Sequence, residues 1–298
     1  MRKILVTGGA GFIGSHLVNK LIENKFEVNV LDNLSTGNTK NINKKSNFIK
    51  GDIRDKKILK KALSNCDIVY HLAAKTHLQE SIINPSECIE INVTGTANII
   101  EICLQKKIKI IFASSCSLYP LNYHKKISEN VNINPITPYA MSKYLSEKLL
   151  NFYSSKNNLE TCILRCFNVY GKNQNSKSFY SAVIPKFIKK ASEKKNLILN
   201  NAGLQKRDFV HVDDVVRAYI DCGLKKIRGT YNIGSGNSIS IKRLANIIVK
   251  IVKNGKIKNG PTLNYDAKYS CANISLAKKK FNFKTKIKLE EGIKNILV

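Results

Sequence analysis

Two side chains four residues apart could carry proton chemistry: the phenol of Tyr139 and the ammonium of Lys143, in the run Pro138-Tyr139-Ala140-Met141-Ser142-Lys143. Pro138 suits the first position of a helix, where its missing N–H is not needed. Leu145, Leu149, Leu150 and Tyr153 then recur at helical spacing, which predicts a helix from Pro138 to about Ser154. On that helix Tyr139 and Lys143 share a face. The cation and the positive helix end both favour the phenolate, so the phenol is expected to ionise well below its ordinary value of about 10 and to serve as a general base. A surface Tyr and Lys in a Lys-rich chain have the same spacing, so the pair alone does not decide. Upstream, Ser114-Ser115-Cys116-Ser117 follows a strand-like run. A hydroxyl there could share a proton with Tyr139 and a substrate oxygen, or could simply cap a turn.

The elements that must position these groups begin at the N-terminus. An apolar strand, Arg2 to Thr7, leads into Gly8-Gly9-Ala10-Gly11-Phe12-Ile13-Gly14 and then a helical pattern; a second strand, Glu27 to Leu31, ends at Asp32. Glycines between a strand and a helix let the backbone approach a pyrophosphate at the helix N-terminus. An acid closing the next strand can accept the ribose 2′-hydroxyl bond and repel a 2′-phosphate, so the order of features predicts a dinucleotide site that prefers NAD to NADP. Strands at 47–50, 67–72, 109–113 and 160–165 alternate with helices near 55–64, 85–104 and 138–154, which means parallel βαβ units. Asp32, Asp52, Ala73-Ala74 and Ser114-Ser115 all fall at strand ends, where such sheets bind ligands; Asp52 could equally be a turn or cap acid. The fold class expected is therefore α/β: a Rossmann-type doubly wound parallel sheet over residues 1–170, with a smaller C-terminal α/β substrate lobe, mainly 171–298, some of whose segments return to the sheet.

The formal charge of +29 comes almost wholly from lysine, with seven arginines, spread along the chain. That reads as solvated helix faces rather than a nucleic-acid surface, though it would steer an anionic small substrate. Where arginine is scarce, one that is kept points to its fork geometry, and Arg207 is the candidate. The eight cysteines form no metal-ligand spacing, so no metal site is expected and free thiols in a reducing cytoplasm are. No apolar run reaches membrane-spanning length and no signal pattern opens the chain.

The ordered motifs resemble the extended short-chain dehydrogenase/reductase family, and within it the nucleotide-sugar epimerases and dehydratases of UDP-glucose 4-epimerase type. The resemblance runs nearly end to end, through the glycine loop, Asp32-Asn33, Gly51-Asp52, His71 to Ala74, Asn92 to Thr96, Ser114-Ser115, Tyr139 and Lys143, Arg165 to Gly171, Arg207 to Asp214 and Asn232 to Gly234. It implies that Gly8, Gly11, Phe12, Ile13 and Gly14 hold the NAD pyrophosphate, Asp32 and Asn33 the adenosine ribose, and Asp52 and Ile53 the adenine. Leu72, Ala73, Ala74 and Asn92 would line the cofactor channel. Tyr139 would be the base, Lys143 would bind the nicotinamide ribose, and Ser115 would hydrogen-bond the reacting sugar hydroxyl. Asn168 and Arg207 would contact the nucleotide diphosphate, most simply of a UDP-sugar. The resemblance also implies a homodimer formed through the helices near 85–104 and 138–154.

Departures from the pattern bear on substrate. Pro120 replaces the usual glycine. Leu263, Tyr265 and Asp266 fall where the family carries an Arg-x-Gly-Asp run, so a second phosphate-clamping arginine is missing unless a lysine such as Lys268 serves. Ser270 falls at a pocket-gating position where a small residue admits 2-acetamido sugars. Related 4,6-dehydratases carry Asp-Glu after the active-site hydroxyl; Cys116-Ser117 stand there instead, which argues against dehydration. An acid-sugar epimerase or decarboxylase stays open, because the polar loop 172–180 could accommodate a carboxylate. A non-catalytic NAD- or RNA-binding protein is the distant alternative.

Overall fold

The computed structural model describes residues 2–174, 182–262 and 267–297. The strands are β1 (Lys3–Thr7), β2 (Glu27–Asp32), β3 (Asn47–Lys50), β4 (Ile68–His71), β5 (Lys109–Ser115), β6 (Thr161–Cys166), β7 (Asn168–Tyr170), β8 (Asn196–Leu199), β9 (Lys206–His211), β10 (Gly229–Ile233), β11 (Ser238–Ser240), β12 (Lys256–Asn259) and β13 (Tyr269–Ser270). Residues Met1–Leu118, Ile133–Cys166 and Val216–Tyr231 form one compact unit; Tyr119–Asn132, Phe167–Val215 and Asn232–Val298 form a second.

The first unit is built on a seven-stranded sheet in the order β10-β6-β5-β4-β1-β2-β3. From β6 to β3 every ladder is parallel. That order is the doubly wound one, and the strand sequence reverses direction between β1 and β4, the place where such sheets bind ligands. Its helices are α1 (Phe12–Glu23), α2 (Lys56–Ala62), α3 (Leu78–Ile83), α4 (Pro85–Ile89), α5 (Gly95–Lys106) and α6 (Pro138–Asn157). Leu5, Leu31, Val69, Ile99, Ile110, Leu150 and Ile163 meet in one buried cluster on the sheet. Each such side chain contributes about 1.5–3 kcal/mol by leaving water.

Two elements depart from the sequence expectation. The single helix expected over 85–104 is α4 and α5 joined by a π-helical turn, Glu90–Thr94. The helix expected to end near Ser154 continues to Asn157, where Asn158 adopts a left-handed conformation (φ 53°) and its N–H bonds back to Tyr153 O.

The second unit contains α7 (Val183–Ser192), α9 (Ile241–Val252), α10 (Ser275–Phe281) and α11 (Leu289–Leu297), while α8 (Val212–Leu224) starts in it and from Val216 belongs to the first. Its core gathers Ile184, Phe187, Leu197, Leu244, Ile248 and Ile293. A small sheet centres on β9, which pairs with β7, β11 and β13.

Candidate active site

At the end of β1 the chain turns through Gly8, whose φ of +72° suits glycine, and a side chain there would meet Ala73 N at 2.7 Å. A Cβ on Gly14 would lie 2.1 Å from Gly8 O, so the loop and the start of α1 close on each other only as glycines. Gly11 caps α1 with no side-chain bond to the first-turn N–H groups, and that turn carries no acid. Phe12, Ile13 and Gly14 form this first turn. Asp32 ends β2, is 8% exposed, and accepts from Ala10 N at 2.9 Å and Leu34 N at 2.8 Å. A backbone cradle, an uncapped positive helix end and an acid at the next strand end fit a dinucleotide.

Asn33 and Asp52 lie at neighbouring strand ends and are bonded to each other (3.0 Å). Asp52 also receives Arg54 through Nε and Nη2, both at 2.9 Å, and this guanidinium holds its carboxyl down at about 2. Arg54 was not among the residues picked from the sequence, although its place two residues after Asp52 was visible. Ile53 is 3% exposed with its side chain in the core, so that side chain is not available to an adenine. Leu72, Ala73 and Ala74 follow β4, and Ala73 N donates to Thr7 Oγ1.

Asn92 sits in the π-helical turn, 2% exposed. Its amide accepts from Lys75 N (2.8 Å) and donates to Lys75 O (3.0 Å) and Ser142 Oγ (2.8 Å). Asn92 therefore ties the segment after β4 to α6, one residue from Lys143. Beneath it, Thr96 Oγ1 donates to Asn92 O, which leaves that hydroxyl to accept from His71 Nε2 at 3.0 Å; Thr7 Oγ1 donates to His71 Nδ1 at 2.8 Å. The network thus assigns a neutral His71 with its proton on Nε2.

Ser115 ends β5, and Tyr139 and Lys143 occupy the first turns of α6. Thr137 Oγ1 caps the helix at Ala140 N, and Ser81 Oγ accepts from Tyr139 N. The Ser115 hydroxyl acts on the Tyr139 phenol, favouring its ionised form. Lys143 is 3% exposed; its Nζ donates to Ala113 O at 2.8 Å and lies 4.7 Å from the centre of the Phe112 ring. The expectation of a depressed phenol pKa is corrected here. Burial pushes Tyr139 above its ordinary value, and the nearby Ser115 hydroxyl only partly offsets that. Burial also brings Lys143 down to about 8, with its proton directed at a strand carbonyl.

In the second unit the small sheet brings together three of the four residues expected to touch substrate, Asn168, Arg207 and Ser270. Ser270 pairs with Arg207 across β13 and β9, and Asn168 pairs with Phe209 across β7 and β9. Asn168 Nδ2 donates to Asp208 O, and Arg207 Nη1 donates to Ala267 O at 2.6 Å. Leu263, Tyr265 and Asp266, on which the missing-arginine reading rests, and most of the polar loop 172–180 lie outside the described residues.

The model of the NAD dependent epimerase/dehydratase family matches residues 4–234. An unconfirmed UDP-glucose 4-epimerase of Methanocaldococcus jannaschii is 44% identical over 248 residues, 82% of this chain and 81% of that protein. A dTDP-D-glucose 4,6-dehydratase of Homo sapiens is 33% identical over 85% of this chain and 74% of its own length, and UDP-glucuronic acid decarboxylase 3 of Arabidopsis thaliana is 32% identical over 98% and 86%. Among solved structures, UDP-glucose 4-epimerase from Thermotoga maritima with UDP-glucose superposes with a TM-score of 0.95 at 32% identity, covering 99% of this chain and 97% of that one. UDP-N-acetylglucosamine 4-epimerase from Methanobrevibacter ruminantium M1, in complex with UDP-N-acetylmuramic acid, gives 0.95 at 34% identity with the same coverage. With the glycine cradle, the acid at the end of β2 and the Ser-Tyr-Lys cluster in place, the chain belongs to the NAD-dependent epimerase/dehydratase family of extended short-chain dehydrogenases/reductases, and NAD is its cofactor.

Proposed function

We propose that this chain is a nucleotide-sugar 4-epimerase acting on UDP-hexoses, with UDP-N-acetylhexosamines admitted as well. The observation that carries the reading is the cluster at the end of β5. The Ser115 hydroxyl acts on the Tyr139 phenol, Lys143 lies one helical turn on, and Cys116 and Ser117 stand where related dehydratases carry a carboxylate pair. With no acid and base there to move protons at C5 and C6, the chemistry available is confined to one alcohol. Tyr139 takes the proton of the sugar 4-hydroxyl and later returns it, and Ser115 holds that oxygen in line. Lys143 keeps a positive charge one turn from the phenol, which would oppose the rise that burial gives the phenol. NAD, when bound, would supply the hydride-transfer chemistry at C4. Gly8, Gly14 and Asp32 would hold the cofactor; Asn168 and Arg207 would hold the diphosphate, and Ser270 would leave room for a 2-acetamido group.

Tyr139→Phe tests this reading. Turnover of a UDP-sugar should fall by a factor of about a hundred or more, while the purified variant still carries NAD. Near-normal turnover in that variant would sink the mechanism.

The outer faces of the π-helical turn Glu90–Thr94 and of α6 are proposed as part of a homodimer interface. Val93, Leu145, Leu149 and Phe152 line an apolar groove of about 640 Å³, in which Phe152 is 54% exposed.

A further inference from the structure

The side chain of Glu147 is 2% exposed, two turns along α6 from Tyr139 and one turn from Lys143. Its carboxylate is held from two strands. Ser114 Oγ donates to Oε1 at 2.5 Å; Arg165 donates through Nε to Oε1 at 3.0 Å and through Nη2 to Oε2 at 2.6 Å. Ser114 and Arg165 are direct partners in the β5–β6 ladder, immediately before Ser115 and Cys166. Two successive residues of β5 therefore bond one face of α6, Ala113 to Lys143 and Ser114 to Glu147, and the next, Ser115, acts on Tyr139. Stability alone gives no reason for a buried ion pair here, since apolar residues of similar volume usually serve as well.

The groups facing Lys143 show what the carboxylate adds. Tyr139 and Glu147 come from its own helix, His71 from β4, Phe112 from β5, Cys88 from α4 and Cys166 from the end of β6. His71 is neutral, and burial pushes both thiols up and keeps them protonated. Glu147 is the anion of this set.

We propose that Glu147 is a positioning residue of the active site: gripped by Ser114 and Arg165, it fixes the register of α6 on the end of β5 and keeps Lys143 a cation. This rests on Ser115, Tyr139 and Lys143 being the catalytic group. Without the Glu147 charge, Lys143 loses its proton at lower pH, so the alkaline fall in kcat must move to lower pH.

The test is Glu147→Gln, purified with its cofactor and assayed for UDP-sugar turnover across the pH range, with circular dichroism to show that it folds. NMR titration of isotope-labelled lysine, assigned by a Lys143→Met control, reads the same group without turnover. If Arg165, left without the Glu147 carboxylate, prevents folding, Glu147→Gln with Arg165→Gln removes both charges and keeps side chains that can hydrogen-bond. Expected are a kcat about tenfold lower, a KM within about twofold, and an alkaline limb and lysine titration lower by about one pH unit. A folded variant whose alkaline limb and lysine titration match the parent overturns the proposal, whether or not kcat has dropped. Tyr139→Phe assayed in parallel separates the two claims. If that variant turns over normally, the catalytic reading has failed; if it is inactive while the Glu147 variant titrates like the parent, only the role of Glu147 has failed.

Discussion

Spacing put Tyr139 and Lys143 on one helix face, and the structure agrees, but the environment of the phenol was not readable from spacing. Helix end and cation both predicted a depressed pKa, whereas burial dominates and raises it. Burial is a property of the folded chain, so the sign of a pKa shift stays hidden until the neighbours are known. His71 makes the same point with a measurable consequence. Enclosed by Thr7 and Thr96 and 1% exposed, it is brought down to about 3 by burial. Between that value and an unfolded histidine's pKa of about 6.5, the unfolded chain binds a proton that the folded one refuses. This part of the stability is therefore complete above about pH 6.5 and is lost as pH falls, by about 2 kcal/mol on reaching pH 5. Thermal melts of the parent against His71→Gln should show the parent losing more Tm between neutral pH and pH 5. Parallel losses would contradict the network drawn around His71.

Elements with a strong periodic signal were legible: the strands leading to Asp32 and Ser115, the helix after the glycine loop, and α6 all lie close to where their residues predict. Short or locally irregular elements were not. The π-helical turn at Glu90–Thr94 disturbs an apolar repeat too little to register, yet it is the turn that carries Asn92. Strands β7, β11 and β13 are two or three residues long, too short for an alternating pattern, and they assemble Asn168, Arg207 and Ser270 through pairing partners distant in sequence. The outer stripe of α6 belongs to this scale as well. Leu145 and Phe152 are exposed apolar side chains that a second copy would cover. Sedimentation or light scattering should find a dimer for the parent and a monomer for Phe152→Glu with its fold retained; an unchanged mass for the variant would place any self-association elsewhere.

At the scale of the whole chain, the family was legible because its motifs occur in order from Thr7 to Gly234, the stretch that the family model matches. The substrate was less so. The same fold serves relatives named as epimerases, dehydratases and decarboxylases, and the proposed choice among them rests on a handful of side chains, among them Cys116, Ser117 and Ser270. Function here is a property of the site, and the direct measurement is on the sugar. Purified protein, with no NAD added beyond what it carries, is incubated with UDP-glucose, UDP-galactose and UDP-N-acetylglucosamine, and products are followed by NMR and mass spectrometry. The C4 epimer of each sugar should grow in at unchanged mass until the two forms reach equilibrium. Loss of water or of carbon dioxide from a nucleotide sugar, or the absence of any C4 interconversion across the panel, would contradict the 4-epimerase reading.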